Sequence, residues 1–426
     1  MQRIIKYNLY LQLFIASLCY GGNAAYVWGP LSILASINLL LVYNFESSNN
    51  KVLDIIVFLF FISLFMQFFI PNRLIQIPAF GTSSQITHSF STLNTKWNIY
   101  QWLIPISAII VIPRIVKSHS DILQICHFLV FIVCLQGFIG FIEYFFSRNS
   151  FLYDIYPFFG KKIGVTGTYV TRNIYANILA AGIPLVLAQI FIYQNKRSKL
   201  SVFTKDNFYI CFYIVSCIII TSSIVLSKSR TGIAFYFCSA LSFLFYNKNS
   251  RTITLIIILL TVLVCGVFFL GNQEVLQRFA HSKTDMDYRI AHYKAGLDIV
   301  KDHWLFGCGA GNFSIFFEMY RNVPIKIQYF HLDNDYIEFI AEHGIFPTLL
   351  GLLFLITWAK IAIQKPLQKN NVIYSSTVIS VMVFFLFAGL HFSLHVNSHR
   401  MFLAYLMAIL ISNWPNNKET LECIEI

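Results

Sequence analysis

Charge is scarce in this chain. Only 12% of its 426 residues are Asp, Glu, Lys or Arg, about half the share carried by a globular domain, which excludes an ordinary soluble protein. Nine cysteines occur, but most lie inside apolar runs, where a thiol behaves as a small buried hydrophobe. Cys308 stands alone in the one long polar stretch, so no disulfide framework is available. No CxxC or HExxH spacing is present, and none of the spacings that hold a metal is seen. The chain also has no GxxxxGK[ST] loop, so ATP-driven work has no support.

What is abundant is apolar and aromatic. Hydrophobic residues make up 57% of the chain, 43 of them Phe, with a mean hydropathy of +0.65. Runs near the roughly 20 residues needed to cross a bilayer recur along its length. They fall at 5–21, 25–43, 52–70, 100–117, 122–146, 173–194, 208–226, 231–246, 252–271, 344–364, 372–394 and 397–414. The expected fold is an all-α polytopic membrane protein of about 12 transmembrane helices with a large extracytoplasmic loop containing short helices. Arg3 and Lys6 before the first run suggest a signal peptide, but Leu18 before Cys19 is a poor lipobox and the next span follows almost directly. The first run is read as a retained helix.

Basic residues set the orientation. With the N-terminus inside, the inner loops hold Arg114 and Lys117, then Lys196, Arg197, Lys199 and Lys205, then Lys248 and Arg251, and finally Lys365 and Lys369. Residues 1–271 then form helices one to nine, 272–343 a periplasmic loop region, 344–414 helices ten to twelve, and 415–426 a cytoplasmic tail. The outer face is basic too: Arg148, Lys161, Lys162 and Arg172 in one segment, Lys228 and Arg230 in another. Either a few outer cations are tolerated, or they form a cationic pocket for an anionic ligand such as a lipid-linked phosphate or diphosphate.

Polar chemistry gathers at three outer places. GVTGTYVTRNIYAN (Gly164 to Asn177) enters a helix, with Arg172 at its start and Asn173 and Asn177 one turn apart. A helix N-terminus there offers free N–H groups to an anion, or is simply capped. SKSRTG (Ser227 to Gly232) is a turn in which Lys228 and Arg230 either snorkel or meet phosphate oxygens. The polar stretch contains DHWLFGCGAGNF (Asp302 to Phe313), whose glycines signal a tight turn, since no βαβ unit surrounds them. It ends in HLDNDYIEFIAEHG (His331 to Gly344). On a helix, His331, Asp335, Glu338 and Glu342 share one face, and such a face is either a solvated stripe or a functional cluster. His391, His395 and His399 also repeat one turn apart; without nearby carboxylate or Cys ligands they read as an interfacial polar face, with Arg400 adding to a phosphate pocket.

The order of these elements carries a resemblance. An SR-G turn, then R-x₃-Y-x₃-G-x₃-V-x₃-W-L-F-G-x-G-x-G-N-F, then H-x-x-N-D-Y-x-E-x-x-A-E-x-G resembles the O-antigen ligase/polymerase superfamily of integral membrane glycosyltransferases. It covers Ser227 to Gly351 strongly and reaches weakly to GTYVTRNIYAN and the IQIP turn (Ile75 to Pro78). The resemblance implies that Arg230 and Arg289 hold the diphosphate of an undecaprenyl-linked glycan; Arg172 and Lys228, from the basic clusters above, are added to that site as candidates. It implies His331 as the catalytic histidine; Asn334, Asp335, Glu338 and Glu342 beside it are the candidate supporting residues. Many members place a histidine directly before the Asn; here Asp333 stands there, so Asp333 is the second candidate for the base.

The residues fit that chemistry. A glycosyl diphosphate already has a good leaving group, so the protein must stabilise charge and take a proton from the acceptor hydroxyl. Direct attack inverts the anomeric centre, and neither metal nor cofactor is expected. Asp335, Glu338 or Glu342 could orient the base, or pair with Arg289 or Lys294. The expected acceptor is lipid A-core; as a polymerase it would be another lipid-linked glycan. The setting implied is the bacterial inner membrane and its lipids, with the site facing the periplasm and no nucleic acid involved. A transporter or flippase of an anionic lipid or sugar is the competing class, with Glu143 the clearest acidic residue inside a span.

Overall fold

The computed structural model describes residues 1–42, 50–68, 92–146, 164–169, 171–196, 205–246, 282–321, 330–364 and 371–412. The span expected at 252–271, the cations Arg148, Lys161, Lys162, Arg197, Lys199, Lys248, Arg251, Lys365 and Lys369, the IQIP turn and the tail 415–426 lie outside the described residues. Among those described, the regular structure is helical and no strand occurs. The helices are α1 (Gln2–Leu18), α2 (Ala25–Val42), α3 (Lys51–Phe65), α4 (Thr92–Ile115), α5 (His119–Phe146), α6 (Arg172–Lys196), α7 (Lys205–Leu226) and α8 (Arg230–Tyr246). They continue as α9 (Ser282–Asp302), α10 (Phe313–Tyr320), α11 (Asp335–His343), α12 (Ile345–Ile363), α13 (Val372–Ala388) and α14 (Asn397–Ile411).

Six of these, α2, α4, α5, α6, α7 and α12, are long and apolar enough to cross a membrane. Helices are the natural answer there, because hydrocarbon offers no partner for a free backbone amide. Other expected spans form shorter helices, of 17 residues in α1, α8 and α13 and 15 in α3 and α14. In α13 the reason is local. The apolar run reaches 394, but the helix stops at Ala388, and the chain then turns through Gly389 into a 3-10 turn at Ser393–His395.

Helix α6 is the axis of the bundle. It packs against α5, α7, α8 and α13, and 94% of its apolar window is buried. Helix α14 is buried along its whole length and packs on α4, α13 and α1. Helix α12 is the opposite case: 11% of its window is buried, and Phe346, Leu349, Leu352, Leu353, Ile356 and Ile363 are exposed. An apolar surface of that kind suits contact with lipid rather than water.

The two ends of the bundle differ. At one end, ion pairs Arg114–Asp54 at 2.6 Å and Lys6–Asp121 at 3.0 Å tie α4 to α3 and α1 to α5. At the other end lie the start of α6, the α7–α8 turn, the end of α13 and the start of α14, joined by the polar contacts described below. Residues 282–321 and 330–343 carry a small core of their own, in which Ala295 and Ile299 of α9 pack with Phe313, Phe316 and Phe317 of α10, Leu332 and Ala341. Glu143, the acidic residue inside α5, accepts hydrogen bonds from the amides of Thr166 and Gly167 at 3.0 and 2.6 Å. It anchors the loop before α6.

The GCGAG segment is a tight turn, as expected. Gly307, Gly309 and Gly311 have φ of 74°, 95° and 74°. Their region's amides already have protein acceptors: Cys308 donates to Ala341 O, Gly309 to Glu342 O, and Gly311 to the Glu342 carboxylate. A Cβ at Gly307 would run into Glu342 O, against backbone that cannot move aside. Gly307→Ala is expected to destabilise the protein by about 1–3 kcal/mol from the φ alone, with the clash added. Thermal melts of the purified variant in detergent would show a lowered midpoint; an unchanged melt would contradict this reading of the turn.

Candidate functional site

Helix α11 begins where Asn334 turns its side chain back on the chain. Its Oδ1 accepts from the amides of Tyr336 and Ile337 at 3.0 and 3.1 Å, and its Nδ2 donates to Gly389 O at 3.0 Å. This cap starts the helix at Asp335, so His331 precedes it rather than sharing its face, contrary to the sequence expectation. The solvated-stripe reading also fails, because Asp335, Glu338 and Glu342 are 3%, 0% and 2% exposed. A buried carboxylate needs donors or an opposite charge, and each of these finds its own.

Glu338 faces His331: its Oε1 is 2.8 Å from His331 Nδ1, and its Oε2 accepts from the Leu332 amide at 2.7 Å. Asp335 turns to the 3-10 turn. It accepts from the Leu394 amide at 2.8 Å and lies 2.7 Å from His395 Nδ1. The same His395 presents Nε2 to Glu338 Oε1 at 3.2 Å and to Glu342 Oε2 at 4.0 Å. Glu342 Oε1 accepts from the Gly311 and Phe313 amides, so Glu342 belongs mainly to the glycine turn. Of the three carboxylates considered as orienting groups, Glu338 is the one at His331. His331 stacks on Phe392 and keeps 33% of its side chain exposed.

Arg289 does not pair with the α11 carboxylates. It reaches Asp333 at 3.5 Å and Leu390 O at 3.4 Å. Asp333 also stands 3.5 Å from His391 Nδ1. Burial would push the Asp333 carboxyl up, but the hydrogen bond and charge of His391, with Arg289 and His292, outweigh it and hold the carboxyl below its usual range. His391 continues the chain, with Nε2 at 3.0 Å from Thr231 Oγ1 and Nδ1 at 3.4 Å from Asn173 Nδ2. Ser229 in turn donates to Asn173 Oδ1 at 2.8 Å.

That polar chain brings the three outer places of the sequence together. Asn173 is on the first turn of α6, next to the half-buried Arg172; Ser229 and Thr231 flank Arg230, the exposed first residue of α8. Lys228, with φ 55°, is the one non-glycine residue at positive φ among those described. Its strained backbone shapes the turn that holds Arg230. Arg172, Lys228 and Arg230 are thus chain neighbours of this line of hydroxyl, amide and imidazole groups, and Arg289 joins it through Asp333.

Histidines 391, 395 and 399 do not converge. His399 is buried against Ile174 O at 3.0 Å, and the other two serve Asp333 and the α11 carboxylates. The carboxylates thought absent from their surroundings are present, brought from a distant part of the chain. His331, Glu338 and His395 place one donor atom each within 4.8 Å of one another, a spacing a divalent cation could use and protons fill equally well. Arg400 is only 6% exposed. It donates to Gln101 and His395 O and lies over Trp102, so it braces the 3-10 turn instead of lining a phosphate pocket.

Sequence reasoning missed the part played by His391 and His395. The available signal was that the expected topology puts them in a turn on the same side as His331.

Residues 215–353 match the family model described as O-antigen ligase, and the resemblance read from the motif order is thereby shown. The matched segment holds Arg230, Arg289, His331 and Glu338; Asn173, His391 and His395 reach the site from outside it. No curated protein matches the chain.

Asn334→Ala removes both the cap of α11 and the tie to Gly389 O. The expected cost is about 1 kcal/mol for the cap alone, seen as a lower melting midpoint. Asn334→Asp, which retains the capping oxygen, is expected to lose less; equal losses would show that the cap is not what matters.

Proposed function

With residues 215–353 matching the O-antigen ligase family, we propose that this membrane protein is a glycosyltransferase that moves a glycan from undecaprenyl diphosphate to a hydroxyl of lipid A-core at the periplasmic face of the inner membrane. The observation that carries the reading is the pairing of His331 with the buried Glu338, beside Asp333–Arg289 and the exposed Arg230. A neutral imidazole that donates Nδ1–H to a carboxylate has its lone pair on Nε2, ready for a proton.

In the reaction the acceptor oxygen attacks the anomeric carbon. The bond from that carbon to the diphosphate oxygen breaks, and the electron pair leaves with the lipid diphosphate. Arg230 and Arg289, with Arg172 and Lys228 around them, stabilise the charge that develops there. The hydroxyl proton passes to His331 Nε2, and the anomeric configuration inverts. Nothing in these steps calls for a metal or a nucleotide.

Between the two candidate bases, the geometry supports His331. Asp333 is already engaged by Arg289 and His391 and is held ionised below its usual range, which makes it a weak proton acceptor at neutral pH. His331 moves the useful way. Burial lowers its pKa from 6.5, Glu342 and Asp335 oppose that, and Arg400 adds to it. The imidazole is then neutral at pH 7. The transporter alternative loses its main support, since Glu143 is taken up by backbone amides.

The test is transfer by purified protein given an undecaprenyl-diphosphate glycan and lipid A-core, with EDTA and without nucleotide. Arg230→Ala and Arg289→Ala are each expected to lose roughly 10²–10³-fold in kcat. His331→Ala should lose on the order of 10²–10⁴-fold, and Asp333→Ala less. Longer lipid-linked chains in place of modified lipid A-core would make the protein a polymerase. No product from folded protein with competent substrates would sink the enzyme reading.

Acid sensitivity gives a second check. A base with a lowered pKa stays deprotonated until the pH falls below 6.5, so kcat/KM is expected to be flat above that value and to drop with acid below it. A profile that already declines between pH 8 and 7 would speak against His331 as the base.

A further inference from the structure

We propose that α9 lies along the membrane surface at the site's end of the bundle, with its exposed row of Ile290, Leu297 and Trp304 set into the phospholipid leaflet and Lys294 and Lys301 beside that row on anionic headgroups. This seating of the helix that carries Arg289 does not depend on the transfer reaction.

Two ties hold α9 where the bundle leaves the membrane. At its C-terminal end, the Ile345 amide donates to Trp304 O at 2.9 Å, and Phe306 meets Phe346 with ring centroids 6.0 Å apart. Ile345 opens α12, which is long and apolar enough to span and shows Phe346 and Leu349 on its surface. Near the other end, Arg289 donates to Leu390 O at 3.4 Å, just past the end of α13. Both ties belong to one end of the bundle: Gln67, beyond the end of α3 opposite the Asp54 ion pair, donates to Glu342 O at 3.0 Å, just before α12. Arg289 and Asp302 are about 20 Å apart along the helix axis. A rod held at two such points runs along the surface and not away from it.

The faces of α9 follow the layering of a membrane surface. Ala295 and Ile299 face the small core, and at about 100° per residue the exposed Ile290 and Leu297 fall on the opposite side. Seven residues make nearly two turns, so these two stand in one row, which Trp304 continues in the turn after the helix. One edge of the row is turned to the site: Tyr293 donates to Asp333 O at 2.8 Å, and a Cβ at Gly296 would meet Leu332 and Ile337. The other edge carries the exposed Lys294 and Lys301, and beyond them the exposed Asp287, Asp298 and Asp302. Apolar row, cations, then acids is the order in which a leaflet presents hydrocarbon, phosphate and water. An exposed indole at the row's end, beside the first turn of a spanning helix, suits the same boundary.

The row is also continuous with a surface already suited to lipid. Trp304 adjoins the start of α12, where Phe346 and Leu349 begin the apolar face that runs on to Ile363. A protein partner would have to cover α9 and the lipid-facing start of α12 together; the leaflet covers both without a gap.

The test uses full-length protein in nanodiscs of phosphatidylethanolamine and phosphatidylglycerol. A genetically encoded, environment-sensitive fluorescent residue replaces Leu297 or Ile290, or Asp298 as the control on the neighbouring face, and thermal melts confirm that each variant is folded. At 290 and 297 the expected emission is blue-shifted, quenched by lipids spin-labelled near the headgroup and protected from iodide; at 298 it is the reverse. At 297, spin-labelled phosphatidylglycerol is expected to quench several-fold more than spin-labelled phosphatidylcholine, because each lysine near the surface favours an anionic lipid. Lys294→Gln combined with Lys301→Gln should abolish that excess and leave the blue shift in place.

Iodide quenching at 290 and 297 as strong as at 298 puts the row in water and overturns the proposal. A blue shift with no quenching by any spin-labelled lipid also overturns it, since a second copy or another protein then covers the row. Equal quenching by the two lipids overturns the part given to the lysines.

Discussion

Three carboxylates buried on a helix of nine residues impose the constraint on which the site depends. A carboxylate away from water needs donors of hydrogen bonds or an opposite charge, and α11 cannot supply them to itself. Glu342 draws the glycine turn after α9 onto the end of α11, Asp335 draws in the 3-10 turn between α13 and α14, and Glu338 draws in the segment holding His331. Distant parts of the chain are brought to one place because each answers a different acid. The same requirement explains why the glycines at 307, 309 and 311 adopt left-handed backbone. Only there can the turn come close enough to donate its amides to Glu342 and to the end of the helix.

A second polar line runs beside the first. Asp333, His391, Thr231, Asn173 and Ser229 join the ends of α6, α8 and α13 at one end of the bundle. Arg289 enters this line through Asp333, and Arg230 flanks it at the start of α8. The two lines meet at the short stretch from His331 to Asp335, where alternate residues belong to one or the other. The proposed division of labour follows from that alternation: His331 leans on buried carboxylates that favour proton transfer, while Asp333 is committed to the cationic side that would face a diphosphate.

Much of the helix order was legible in the sequence, because apolar runs of bilayer length have no other reading at this charge content. The failures are local and physical. The run at 372–394 reads as one span, yet Gly389 and the 3-10 turn end the helix early, and hydrophobicity does not report such a turn. The spacing of His331, Asp335, Glu338 and Glu342 suggests one helical face, although Asn334 is the residue able to cap the helix. The cluster itself was visible as residues; its pairing was not. His391 meets Thr231 across 160 positions of sequence and Asn173 across 218, and contacts at that separation leave no local pattern. The histidines repeated at 391, 395 and 399 suggested one face, whereas the turn between α13 and α14 sends them to three different partners.

The most direct test of the central claim is a structure of the protein by electron cryomicroscopy with an undecaprenyl-diphosphate glycan bound, using His331→Ala to prevent turnover. The account predicts the diphosphate within hydrogen-bonding reach of Arg230 and Arg289, with the anomeric carbon turned toward the space left by His331. A diphosphate seated elsewhere on the protein, or a glycan pointing away from residue 331, would contradict it.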